Sequence, residues 1–130
     1  MFCVDSSSWI AYLSGGSGAD VDLVDSYLRN RMLWMAPVVL AELLSDPLLP
    51  AKAEIGLRTI PVLELLPGFW ERAGKTRADL IRRKMKPGLA DTLIAQICID
   101  HDIPLHTRDL GFRPFAKHAN LQLVLHGSVN

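Results

Sequence analysis

Apolar and polar positions fall in blocks along this chain, and the blocks change period. Phe2-Cys3-Val4 is a short apolar run that stops at Asp5, and Ser6-Ser7-Ser8 then leads into Trp9-Ile10-Ala11-Tyr12-Leu13. Apolar β-formers, a group of capping hydroxyls and a renewed apolar segment predict a strand, a turn and a helix. Ser14-Gly15-Gly16-Ser17-Gly18 predicts a flexible loop. Beyond Asp20, the residues Val21, Val24, Tyr27 and Leu28 recur at helical spacing with Asp and Arg between them, the pattern of an amphipathic surface helix. Met32-Leu33-Trp34-Met35 predicts a second strand, stopped by Pro37, and Val38 to Leu44 a strongly apolar helix with one charge, Glu42. Asp46-Pro47 and Pro50 break the chain before a helix over about 51–59. Pro61-Val62-Leu63-Glu64-Leu65 predicts a third strand, with Pro67-Gly68 as punctuation.

The second half follows the same alternation. A long basic helix is expected from Phe69 to about Met85, with Trp70, Ala73, Leu80 and Ile81 on one side. Lys86-Pro87-Gly88 then releases into a helix that runs to about His101 and is apolar nearly all round after Asp91, the sign of a buried helix. Ile103 to Thr107 predicts a fourth strand ending at Arg108-Asp109; Gly111 and Pro114 mark a loop or short helical turn; Leu121 to Leu125 predicts a last strand. Strands alternating with helices predict an α/β fold with a central, mainly parallel sheet of about five strands. No linker-like stretch or internal repeat interrupts it, so a single domain over residues 1–130 is expected.

Composition narrows the class. At 130 residues and 49% hydrophobic, the chain can bury a core without disulfides or metal staples. No apolar run approaches the ~18–20 residues of a membrane span. Met1-Phe2-Cys3-Val4-Asp5 lacks the basic start of a signal peptide. Cys3 and Cys98 form no CxxC pair and sit in apolar surroundings, which suits a reducing compartment and makes the cytoplasm the expected location.

Fourteen basic residues balance fourteen acidic ones, so no global field would hold a polyanion. A local patch exists. Arg72, Lys75, Arg77, Arg82, Arg83, Lys84 and Lys86 face only Asp79 between positions 72 and 86. A solvated helix face explains this as well as a nucleic-acid contact does.

The acids carry more information. Asp5 ends the first predicted strand and Asp109 follows the fourth, and the carboxyl ends of strands form the ligand crevice of an open parallel sheet. Asp91 opens a helix, and Glu42 interrupts an apolar one. Each has a local explanation. Asp5 and Asp91 could be helix caps or first-turn acids, Asp109 an Asx-turn residue, Glu42 a snorkelling or paired side chain. Four acids converging on one inferred rim, with few bases beside them, point instead to a divalent cation. Packed carboxylates raise one another's pKa unless a cation neutralises them, and hard oxygen donors favour Mg²⁺ or Mn²⁺ over zinc. Water on such an ion can attack a phosphodiester. Ser6 and Thr107 are candidate water-positioning or supporting hydroxyls.

Four segments in order now resemble a known family: Val4-Asp5-Ser6-Ser7; Pro37-Val38-Val39-Leu40-Ala41-Glu42-Leu43; Gly88-Leu89-Ala90-Asp91-Thr92-Leu93-Ile94-Ala95; and Leu105-His106-Thr107-Arg108-Asp109. Across nearly the whole chain the sequence is similar to the PIN-domain ribonucleases, and more narrowly to the VapC-type toxins of toxin–antitoxin pairs. The resemblance implies a three-layer sandwich and a catalytic, metal-holding quartet of Asp5, Glu42, Asp91 and Asp109. It implies Mg²⁺- or Mn²⁺-dependent endonucleolytic cleavage of RNA, a homodimer, and a cognate antitoxin whose tail blocks the site. Lys75, Arg77, Arg82, Arg83, Lys84 and Lys86 are then expected to guide the RNA backbone. Such proteins often carry a further acid two residues after the last one; Gly111 stands there, which leaves one or two ions open. A non-catalytic PIN-like domain that binds RNA or protein is the rival from another class.

Other chemistries are excluded on spacing. Gly74-Lys75-Thr76 lacks the glycine that a phosphate-binding loop needs at position 69, which is Phe. A haloacid-dehalogenase-like phosphatase would want Asp where Ser7 stands, and a receiver-type phosphoacceptor an Asp where Leu65-Leu66 stands. His101, His106, His118 and His126 show no ligand spacing and are expected at the surface or at strand ends. Trp9, Trp34 and Trp70 are expected in the core, and the early serines lack a nucleophile-elbow context.

Overall fold

The computed structural model describes residues 1–127. Four strands form one parallel sheet: β1 (Phe2–Val4), β2 (Leu33–Trp34), β3 (Leu105–Thr107) and β4 (Leu123–Leu125), in the order β2-β1-β3-β4. Seven helices flank it: α1 (Ser6–Leu13), α2 (Ala19–Arg29), α3 (Pro37–Leu44), α4 (Ala51–Arg58), α5 (Phe69–Arg82), α6 (Leu89–Asp100) and α7 (Arg113–His118), with a 3-10 turn at Leu110–Phe112. β1 is central: Cys3 pairs with Trp34 on one side and Leu105 on the other. Every parallel pair needs a crossover, and the helices supply them.

Five strands were expected, and four form. The segment Pro61–Leu65 contributes a single parallel bridge, Met35 to Val62. Met35 N–H donates to Pro61 O at 2.8 Å and Leu63 N–H to Met35 O at 2.9 Å. Proline supplies no N–H, and Leu65, Leu66 and Pro67 are exposed, so the ladder stops after one rung. Only Leu63 turns inward. The basic helix also ends sooner than expected, at Arg82 rather than Met85. Lys84 takes a left-handed φ of 66°, and Met85 N–H returns to Leu80 O, which closes the helix.

α6 lies in the heart of the molecule. Thr92 and Ile94 to Cys98 are buried along it, meeting Cys3, Val4 and Leu105 of the sheet, Val39 and Leu43 of α3, and Ala73 and Leu80 of α5 in one cluster. Full burial of Ile94 and Ile97 removes apolar surface worth about 1.5–3 kcal/mol each. Its start is fixed by Gly88, whose carbonyl accepts from Thr92 N–H at 3.0 Å and Thr92 Oγ1 at 2.7 Å. The expectation of a buried helix holds, and so does that of a core Trp9, which is 1% exposed. Trp70 departs from it. The ring lies outward at 61% exposure, as does Ile81, because Phe69, Ala73 and Leu80 already fill the buried stripe of α5.

Candidate active site

At the carboxyl ends of β1 and β3 the chain turns away from the sheet, and there the acids meet. Asp5 directly follows β1 and is buried. It caps α1 by accepting from Ser7 N–H, so its local role as an N-cap is real. More donors converge on the same oxygen: Oδ2 accepts from Thr107 Oγ1 at 2.8 Å and from Ser7 Oγ at 3.0 Å. Oδ1 has only a long contact from Ser6 Oγ at 3.4 Å. Donors on one oxygen orient the carboxylate and leave the other oxygen free for a further ligand.

Asp109 also has its local role, accepting from Gly111 N–H at 2.8 Å through Oδ1, and its own N–H donates to Thr107 Oγ1 at 2.9 Å. Thr107, fully buried, thus joins Asp5 to the backbone of Asp109. Asp91 stands in the first turn of α6. A Cβ built on Gly111 would lie 3.0 Å from Asp109 Oδ1 and 3.5 Å from Asp91 Oδ2. The two carboxylates therefore border the small space that the missing side chain leaves. Glu42 projects from the exposed side of α3, not from its buried stripe of Val39 and Leu43, which lowers the cost expected for a charge in an apolar helix. Ser6 lies close enough to Glu42 to lower its pKa while its hydroxyl contacts Asp5, and so stands between the two acids.

The electrostatics bring all four acids into one field. Burial pushes the Asp91 carboxyl up to about 6, and the negative charges of Asp109, Asp5 and Glu42 add to that push, in that order. Glu42 is raised too, first by desolvation and then by Asp5, against the hydrogen bond from Ser6. Such like-charge strain is relieved by a cation. Among the described residues no three acidic, histidine or cysteine side chains are placed to hold a metal ion by themselves. The donor set, four carboxylates with hydroxyls behind them, fits a hard divalent ion that keeps several waters.

The six basic residues are arranged unequally. Arg77 Nε donates to Pro87 O at 3.1 Å, bracing the break before α6. Arg83 and Arg82 pair with Asp79 at 3.1 and 3.8 Å on the exposed face of α5. Lys75, Lys84 and Lys86 are exposed. Arg72, the first cation of the run, is engaged by Asp100 through two bonds of 3.0 and 2.6 Å.

Three participants escaped the sequence reading. Ser7 was visible only as one of three hydroxyls. Asp20, placed by periodicity on a surface helix, is 2% exposed and pairs with Arg108, 88 positions away. No spacing rule sees such a pair. His106 also differs from its expected place: it is 5% exposed within β3, bonded through Nδ1 to His126 Nε2 at 2.8 Å.

The fold is a parallel α/β sheet with acidic side chains gathered at the carboxyl ends of its central strands. The family profile described as the PIN domain matches residues 2–118, and the chain belongs to that family. Solved structures share the fold. VapBC2 from Rickettsia felis, bound to a DNA fragment from its promoter, is 18% identical over 95% of this chain and 97% of that chain, with a TM-score of 0.73. FitAcB from Neisseria gonorrhoeae is 19% identical over 95% and 96%, with a TM-score of 0.66. Mycobacterium tuberculosis VapC20, a sarcin-ricin loop cleaving toxin, is 16% identical over 91% and 95%, with a TM-score of 0.60. A search of curated proteins returned no significant match.

Proposed function

We propose that this chain is a single-domain, metal-dependent endoribonuclease, the toxin of a toxin–antitoxin pair. One observation carries the reading: acids from four separate elements share one crevice, and together with burial they hold Asp91 near pH 6. A fold needs no such arrangement for stability, since like charges oppose it.

Asp5, Glu42, Asp91 and Asp109 would hold Mg²⁺ or Mn²⁺. When bound, the ion supplies positive charge to the phosphate and an activated water. The chain supplies the geometry. Thr107 and Ser7 fix Asp5 by hydrogen bonds to one oxygen, and Gly111 keeps the space between Asp91 and Asp109 clear. Ser6, between Asp5 and Glu42, can orient a water through its hydroxyl. Lys75 and Arg82 on α5, with Arg83, Lys84 and Lys86 just beyond its end, offer contacts to the phosphate backbone, which position RNA without reading sequence; Arg77 braces Pro87 as well.

Partners follow from the same reading. The likeness to the VapBC2 and FitAcB structures supports an antitoxin, and the exposed Leu65 and Trp70, which line one apolar hollow with Val38 and Leu93, support a homodimer. No helix of the described residues is long and apolar enough to cross a membrane, and both thiols are free, in keeping with a cytoplasmic protein.

The test is cleavage of structured RNAs by purified protein with Mg²⁺ or Mn²⁺ and with EDTA, beside Asp5→Asn and Asp91→Asn. Cleavage that needs the ion and both carboxylates is the expected result. Cleavage surviving EDTA or both substitutions would sink the mechanism, and RNA binding without any cleavage would favour a binding domain.

A further inference from the structure

We propose that Arg108 is a positioning residue of the acidic crevice. Clamped to the buried Asp20, it fixes the turn from Thr107 to Gly111 that presents Asp109 and anchors Asp5. This rests on the reading that the four carboxylates hold a cation.

The problem Arg108 solves is local. β3 is three residues long, and its last residue, Thr107, bonds to Asp5. Beyond it the sheet ladder ends, while Asp109 is exposed. An exposed turn on a short strand would present a carboxylate loosely, and a site placed loosely by its supporting residues loses function.

Arg108 is anchored at both ends. Its backbone N–H donates to Ser7 Oγ at 3.1 Å, the same hydroxyl that bonds Asp5. Its guanidinium grips Asp20 of α2 with a two-pronged fork, Nε to Oδ2 at 2.5 Å and Nη2 to Oδ1 at 2.8 Å. Nη2 also donates to Ser17 O at 2.8 Å. The receiving carboxylate is built for this, because Ser8 Oγ donates to Oδ2 at 2.7 Å and Val21 N–H to Oδ1 at 2.9 Å. With these bonds the Asp20 carboxyl falls to about 2.

The loop before α2 closes on the pair. Gly18 has φ 138°, and a Cβ there would lie 2.8 Å from Asp20 Oδ1 and 2.9 Å from Arg108 Nη2. A side chain at position 18 would enter the ion pair, so the glycine is required by both conformation and space. Planar, two-pronged recognition is a property of arginine that lysine cannot copy. Arg108 commits Nε and Nη2 to this fork, and an ion pair on a buried carboxylate is a poor source of stability compared with apolar packing. Its use here is geometric: it ties β3 to α1 and α2 at the residue before Asp109.

The test measures local order and ion binding separately. Wild-type protein is compared with Arg108→Lys, with the double variant Asp20→Asn/Arg108→Gln, and with Arg58→Gln, an exposed arginine paired with Glu54, as a surface control. The double variant removes both charges together, so it leaves no unpaired buried charge and guards against a simple failure to fold. Amide hydrogen exchange at Asp109 and Gly111 is read in ion-free protein, and Mn²⁺ affinity by calorimetry on samples shown to be folded by circular dichroism. The expected result is faster exchange at those two amides, unchanged exchange at Ile94 and Cys98, and Mn²⁺ binding weakened about tenfold, the lower end for loss of a residue that supports a metal ligand. Exchange that rises equally everywhere, or Mn²⁺ affinity unchanged in the folded variants, would overturn the role. Wild-type protein that binds no Mn²⁺ overturns the cation reading itself, a different failure from variants that match a binding wild type.

Discussion

Asp91 sits where its charge is disfavoured, and this has a measurable sign. Its folded carboxyl titrates near 6, above the ~3.9 of an unfolded aspartate. The folded state therefore binds the proton more tightly, and stability is lost as pH rises through that window. In ion-free buffer Asp91→Asn is expected to be more stable than wild type at pH 8, by about 1–2 kcal/mol once partial exposure is discounted. The advantage should vanish at pH 4, which urea unfolding at the two pH values would check. Mn²⁺ at a hundred times its dissociation constant should reverse the order by stabilising wild type by about 2.7 kcal/mol. A substitution that stabilises while it abolishes function is the usual mark of a working residue.

In the proposed function the two helices on either side of Pro87-Gly88 divide the labour. α5 is tied to α6 by polar contacts as well as packing: Thr76 Oγ1 donates to Gln96 Oε1 at 2.6 Å, and Gln96 Nε2 to Asp100 Oδ1 at 2.9 Å, beside the Arg72–Asp100 pair. The outer face is left for Lys75, Arg82, Arg83 and Lys84. Replacing Arg82 and Arg83 by Gln should lower the slope of log binding constant against log salt by up to about 1.4, roughly 0.7 per phosphate contact on a single strand. Asp79, already paired with both, will reduce that figure, and a slope equal to wild type would remove these arginines from the interface. Filter binding over a salt series measures it. The periodicity of α5 and α6 made both helices legible in the sequence, and the Pro-Gly break between them too. The lost strand at Pro61–Leu65 was not legible, because β-forming residues alone do not say whether a partner edge will continue past one rung.

At the scale of the whole molecule, Asp5, Asp91 and Asp109 could be picked out in the sequence because each follows a recognisable boundary (strand end, helix start, turn), and Glu42 because it is the one charge in an apolar helix. Thr107 was legible as a supporting hydroxyl, whereas Asp20 with Arg108 and His106 with His126 were not, since they are long-range pairs. His106 gives the fold a pH limit. Burial, and then the neighbouring His126, lower its pKa to about 4, against a smaller opposing pull from Asp20. The unfolded chain binds that proton from about pH 6.5 downward, so stability is full above 6.5 and is lost as pH falls toward 4, by about 3 kcal/mol. His106→Phe, set among Phe2 and Tyr27, should flatten this acid limb in denaturant titrations from pH 7 to 4.

The parallel pairing of β1 with β3 sets an order in time. Asp5 is made before the hydroxyl that orients it, on Thr107, which lies 102 positions later. Contacts this distant form only after the intervening chain is made and its loop closed. A nascent chain that has not reached Thr107 carries Asp5, Glu42 and Asp91 without the hydroxyl that orients the first of them, so the crevice takes its final form only once β3 has been made and paired.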